Sequence, residues 1–135
     1  MRKFEILEHK ADLKIRAFGQ TKEELFLNTL LGMQESMKPE IKGEEKVVRQ
    51  IEIESLDLSA LLVDFLSEVL YQNQVNKEIY NDVQFSKFTD TEIKGKIIGQ
   101  KVERFGEDIK AVTHHNVDIR QNSNKIWEVT ILFDV

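Results

Sequence analysis

The chain is expected to adopt an α+β fold, a two-layer α/β sandwich with two amphipathic helices on one face of a mainly antiparallel sheet. Three features carry that expectation. Two short segments near the N-terminus alternate apolar and polar residues with a period of two, as half-buried strands do. Two longer stretches repeat apolar residues at helical spacing. After the second of these, the chain returns to short alternating runs divided by turn residues. The 135 residues suit a single domain, 1–135, because no internal repeat, low-complexity tract or Gly/Ser linker interrupts them and the only proline is Pro39.

In order, "KFEILEH" (3–9) reads as a strand with Phe4 and Ile6 on one face. "LKIRAFG" (13–19) is a second, with Leu13, Ile15 and Ala17 to one side and Lys14 and Arg16 to the other, ended by Gly19. Thr21 and Glu24 then form a T-x-x-E capping box. The helix it opens carries Phe26, Leu30, Met33 and Met37 as a stripe, widened by Leu27 and Leu31, and Pro39 stops it. "KVVRQIEIE" (46–54) restores alternation, with Ile51 and Ile53 together. "SLDLSALLVDFLSEVLYQNQ" (55–74) is the strongest helical signal, with Asp57 as N-cap and a broad apolar stripe from Leu58 to Leu70. "NQVNKE" (73–78) reads as a polar loop. The strands that follow are "DVQFSKF" (82–88), "EIKGKIIGQKV" (92–102), "DIKAVTHHNVDI" (108–119) and "KIWEVTILFDV" (125–135). Thr89-Asp90, Phe105-Gly106 and residues 122–124 supply the turns. The sheet face away from the helices is expected to carry polar residues.

Composition narrows the function classes. The chain is 41% hydrophobic and 32% charged, enough to build a core and stay soluble, and its net charge is -5. That balance argues against a nucleic-acid binder working through its own basic surface, since phosphate affinity rests on clustered Lys and Arg. The absence of cysteine excludes disulfides, thiolate zinc sites and a cysteine nucleophile. The N-terminal residues lack the apolar core of a signal peptide, and no window approaches the ~18 apolar residues of a membrane span. A cytoplasmic protein with no membrane partner is expected.

Familiar catalytic motifs are missing: there is no G-x-x-x-x-G-K-[ST], no G-x-S-x-G, no H-E-x-x-H and no EF-hand loop. His114 and His115 are adjacent on an expected strand, so they point to opposite faces and do not chelate one ion together. His115 shares parity with Ala111, Val117 and Ile119 on the expected core side, and His114 shares it with Lys110 and Asn116 on the open side. Asp64 and Glu68 are four apart on the second helix, off its apolar stripe, where they form either a solvated face or a partner-binding one. Asp12 shares parity with Lys14 and Arg16, Asp134 with Glu128 and Thr130, and Lys110 lies opposite to Ile109 and Ala111. If these strands share a sheet, all three side chains point to its open face. Carboxylates of this kind, with a terminal carboxyl at Val135 nearby, are ligands for hard cations such as Ca²⁺ and Mg²⁺. Exposed aspartates are also ordinary surface residues, and spacing alone leaves both readings open.

Four motifs, in order and spanning nearly the whole chain, resemble the archease family. "EHKADLKIRAFGQTKEELF" is similar to its E-H-T-A-D-x-G-I-like segment, Gly and T/S-x-E-E-A-F helix start. "LSALLVDFLSEVLY" is similar to its L-x-x-L-L-V-x-W-L-N-E-L-L-Y helix. "IKAVTHH" resembles its V-K-A-x-T-Y-H strand and "WEVTILFDV" its closing W-x-x-x-x-x-x-D-V/I. The resemblance implies an α/β sandwich. It further implies an accessory protein, not an enzyme, that serves an RtcB-type RNA-splicing ligase, which joins tRNA halves using GTP and Mn²⁺. The accessory protein speeds formation of the ligase–guanylate intermediate and allows multiple turnover, meeting tRNA only through the ligase. It implies a divalent cation, Ca²⁺ in the family with Mg²⁺ or Mn²⁺ as alternatives, held by Asp12, Asp134 and Val135. Lys110 is a candidate functional residue, as are His9, His114 and Glu68. Lys10 and Lys14 stand where the family motif usually has Thr and Gly, and His114 where it usually has Tyr. The competing expectation is a general protein-binding, chaperone-like module with no metal role.

Overall fold

The structure, a computed structural model, describes residues 2–8 and 12–135. Its elements are β1 (Phe4–Glu8), β2 (Asp12–Gly19), α1 (Lys22–Ser36), β3 (Pro39–Glu54), α2 (Leu58–Asn76), β4 (Glu78–Phe88), β5 (Glu92–Phe105), β6 (Ala111–Val112), β7 (Arg120–Gln121) and β8 (Trp127–Asp134). The α+β expectation holds, but the strands divide into two sheets. One runs β1-β2-β8-β6, with β7 also on β8; the other runs β3-β5-β4. Every pairing is antiparallel.

Period-two alternation places the core. Along β2 and β8 the buried residues are Leu13, Ile15, Ala17, Val129, Ile131 and Phe133; along the second sheet they include Val47, Ile51, Val83, Ile93 and Ile97. α1 packs on β2 of one sheet and β4 of the other, and α2 packs on β3, β4, β5 and β6. One buried cluster therefore unites both helices with the inner faces of both sheets. The outer face of the first sheet keeps the intervening polar residues.

Local signals set the helix starts. Thr21 Oγ1 accepts from the Glu24 amide at 3.0 Å, and the Glu24 carboxylate turns back to the Gln20 amide at 3.1 Å, a capping box shifted one residue outward. Asp57 caps α2 by accepting from the Ala60 amide at 2.8 Å. The end of α2 differs from expectation. Residues 73–78 are not a loop: the helix continues to Asn76, Lys77 reverses the chain at φ 53, and Glu78 begins β4 at once. β3 likewise starts at Pro39 rather than residue 46.

The expected strand over 108–119 is the largest departure. Only Ala111–Val112 pair, while a turn at His115 and Asn116, the latter at φ 53, breaks the alternation. His115 is consequently exposed rather than on the core side.

A buried polar network fastens the helix ends to the second sheet. Gln34 and Asn73 exchange side-chain amide hydrogen bonds of 2.9 and 2.7 Å, Asn73 also donates to the Glu78 carbonyl, and the Tyr80 amide donates to Gln34 Oε1. The Glu78 side chain is 1% exposed and accepts Arg49 Nε at 2.9 Å, Arg49 Nη2 at 2.8 Å and the Tyr80 hydroxyl at 2.7 Å. Those Arg49 bonds hold the Glu78 carboxyl below its ordinary range against the opposing effect of burial. Burial in turn pushes the Tyr80 hydroxyl well above its ordinary range.

Candidate functional site

Antiparallel register makes the first and last residues of two strands into neighbours. Asp12 opens β2, Asp134 closes β8, and the two are direct cross-strand partners. Both fall on the face opposite to Leu13 and Phe133. Directly opposed like charges destabilise a sheet, so this rung is left with an electrostatic cost that a cation would remove.

The Asp134 main chain is clamped from its other side. The Lys110 amide donates to the Asp134 carbonyl at 2.7 Å, Ala111 pairs with Asp134, and the Thr113 amide donates to the Leu132 carbonyl at 3.0 Å. α2 steadies this clamp through Gln74 Nε2, which donates to the Ile109 carbonyl at 3.1 Å. Asp134 is thus held between β2 and β6 rather than on a free edge.

Asp12 is half-buried, and its Oδ1 is a buried acceptor with no hydrogen-bond partner among the described residues. Buried polar atoms are normally satisfied, and an orphaned carboxylate oxygen beside a second carboxylate is the donor chemistry of a hard-cation site. A cavity of about 190 Å³ opens beside it, lined by Asp12, Ser36, Lys38, Asp108 and Val135 among others. Asp108 and Glu107 add acidic character, partly offset by the 3.4 Å pair between Lys38 and Glu107. Among the described residues no group of three or more His, Cys, Asp and Glu side chains is placed to hold a metal. A cation at this corner would have two carboxylates as ligands and take its remaining donors from other oxygens. Mg²⁺ sites commonly take that form, keeping several waters.

The other candidates fall at varying distances from this corner. The Lys110 side chain is exposed, while its main chain belongs to the clamp. His114 turns toward α2, its Nε2 3.9 Å from Asp64 Oδ1, and Asp64 Oδ2 in turn accepts from Ser55 Oγ at 2.6 Å. Glu68 is half-buried and accepts from Gln72 Nε2 at 3.4 Å. Neither His114 nor Glu68 lines the cavity with Asp12 and Val135. His9, together with Lys10, lies outside the described residues.

Two groups of residues line this corner that parity alone did not bring to it. Ser36, Lys38 and Asp108 reach the cavity from the end of α1 and from the segment after β5. His115, Asn116 and Thr130 join Asp12 and Lys14 around a second cleft on the open sheet face. Loops that bring residues together across some 100 positions leave no periodicity to read.

Comparison with known proteins adds to this geometry. The model of the archease protein family matches residues 4–135. Protein archease of Thermococcus kodakarensis is 32% identical, with 100% of each chain covered. Protein archease of Methanosarcina mazei is 32% identical over 99% of this chain and 97% of its own. Among solved structures, the solution structure of Methanobacterium thermoautotrophicum protein 1598 matches with a TM-score of 0.70 and 25% identity, covering 100% of both chains. The crystal structure of a Thermotoga maritima archease, described as a possible chaperone, matches with a TM-score of 0.68 at 19% identity, over 100% of this chain and 98% of that one.

Proposed function

The chain belongs to the archease family, and from that premise we propose that it is an accessory protein activating an RtcB-type RNA-splicing ligase, not itself a catalyst. Meeting tRNA only through the ligase, it promotes ligase guanylation and repeated turnover. The observation that supports this reading most directly is the Asp12–Asp134 rung, with its orphaned buried carboxylate oxygen. Asp12 and Asp134, with the Val135 carboxyl group, would hold a divalent cation, Ca²⁺, Mg²⁺ or Mn²⁺. When bound, such a cation supplies neutralisation of phosphate charge during nucleotidyl transfer.

The protein's own residues do the positioning. The Lys110 and Thr113 amides fix the last residues of β8, so Asp134 stays opposite Asp12. The exposed Lys110 ammonium offers a second cationic contact for anionic groups at the same end of the molecule. Because the whole arrangement sits at the end of the first sheet, it can enter a partner's cleft without rearranging the core. The net charge of -5 favours approach to the basic cleft that an RNA-joining enzyme must have.

The test is a guanylation assay of the cognate ligase at limiting GTP and metal. Asp12→Ala and Asp134→Ala are each expected to lose most of the stimulation that the unaltered protein gives. Full stimulation by both variants overturns the proposal.

A further inference from the structure

We propose that the cleft beside Asp12 on the open face of the first sheet is a phosphate-binding subsite, in which Lys14, Asn116 and Thr130 hold a phosphate group against a cation at Asp12. The inference rests on the cation reading above and extends it to a ligand. The cleft has a volume of about 360 Å³ and is lined by Asp12, Lys14, His115, Asn116, Thr130 and Leu132. A second hollow, of about 460 Å³, shares Lys14, Asn116 and Thr130 with it and continues to Arg16 and Arg120. Together they form a trough with a carboxylate at one end and Lys14, Arg16, Arg120, Asp118 and Glu128 along its length.

The charges along this trough are not equivalent. Glu128 is matched by Arg16 Nη2 at 3.2 Å and Asp118 by Arg120 Nη2 at 3.1 Å. Lys14 forms no ion pair among the described residues; its cross-strand neighbours are Leu7 and Leu132. Among the described residues its ammonium is uncommitted, a good point-charge contact for phosphate. Asn116 contributes an amide whose Nδ2 lies 3.1 Å from His115 Nε2, leaving one N–H to donate, and Thr130 contributes a hydroxyl. An ammonium, an amide and a hydroxyl facing a cation-bearing carboxylate form a donor set for a phosphate oxygen cluster.

Charge coupling follows. Asp12, Asp134 and the Val135 carboxylate together outweigh Lys14, so without a divalent cation the corner repels phosphate. With one bound, that negative excess is cancelled and the repulsion is removed. Cation and phosphate are therefore expected to bind cooperatively, each raising the other's affinity by the same factor. The phosphate can belong to a free nucleotide or to the end of an RNA strand, two sources of one chemistry.

An amide-resolved NMR titration of the full chain tests this, with Mg²⁺ alone, inorganic triphosphate alone, and both. With Mg²⁺ present, triphosphate is expected to shift the Lys14, Asn116 and Thr130 amides, and Lys14→Met to weaken that response at least about tenfold. Mg²⁺ affinity measured alone is expected to stay the same or tighten in Lys14→Met, showing that the variant is folded and its cation site intact. Separate arms with a nucleoside triphosphate and an end-phosphorylated oligoribonucleotide identify the source by the tighter binding. Mg²⁺ binding without a triphosphate response, or an equal response in Lys14→Met, overturns the subsite alone. Absence of Mg²⁺, Ca²⁺ and Mn²⁺ binding in the same titration overturns the cation reading and the subsite with it.

Discussion

At the scale of single residues, two acidic groups behave in opposite ways. Asp12 and Asp134 face each other as like charges, a pairing that costs about 0.2–1 kcal/mol in a sheet. In chelator, Asp134→Asn is expected to melt no lower than the unaltered protein and to gain up to a few tenths of a kcal/mol. On adding Ca²⁺ only the unaltered protein is expected to shift upward in thermal denaturation; equal shifts would count against the site. Glu78 instead depends on its charge. Its carboxyl is depressed below the ordinary value of 4.5, chiefly by Arg49. The resulting stability is fully present above that value and lost as pH falls through the lower folded-state value. Glu78→Gln is therefore expected to cost on the order of 3 kcal/mol at neutral pH, since it breaks a buried pair whose Arg49 partner still reaches water. Its stability should also change less between pH 5 and pH 3 than that of the unaltered protein, as acid unfolding monitored by circular dichroism would show. Parity alone put Asp12 and Asp134 on one face, but alternation says nothing about which strand lies next to which. Their direct opposition appeared only with the register. The Glu78 network was hidden because Gln, Asn and Glu are read as surface residues. A faint signal existed: Gln34 and Asn73 both fall on the apolar stripes of their helices, Gln34 between Leu30 and Met37 and Asn73 after Val69 and Leu70.

At the scale of elements, caps and stripes were legible and endings were not. Thr21 and Asp57 announced both helix starts because capping is local chemistry. The end of α2 was misplaced because Lys77 takes the left-handed turn that glycine usually marks. The run 108–119 looked like a strand because Ala111, Val117 and Ile119 alternate, yet Val117 and Ile119 pack on the core from a loop. β5 shows a different constraint. A Cβ at Gly99 would lie 1.7 Å from the Ile79 carbonyl oxygen and one at Gly95 2.2 Å from that of Gln84, where the β4 backbone bulges across its neighbour. Gly99→Ala is expected to destabilise the protein by about 3 kcal/mol or more, since backbone must move to admit the methyl group. Urea unfolding midpoints measure this; a loss below about 1 kcal/mol would show that β4 yields easily.

At the scale of the whole molecule, two sheets rather than one was the feature least accessible to local reading. Both sheets bury one face against the same helices, so each strand carries the same alternating signature whichever sheet it joins. The order β1-β2-β8-β6 brings residue 12 to residue 134 and so couples opposite regions of the chain. That coupling has a mechanical side. Tension transmitted through Val135 reaches the Asp12–Asp134 rung before any other part of β8, so the strand peels from its mouth like a zipper rather than shearing as a block. Two repelling carboxylates make that mouth the easiest place to start, and a cation shared between them makes it the hardest. Pulled through the side chain of a Val135→Cys variant, which leaves the terminal carboxylate free, the protein should yield at higher force with Ca²⁺ than with chelator, and Asp12→Asn should abolish the difference.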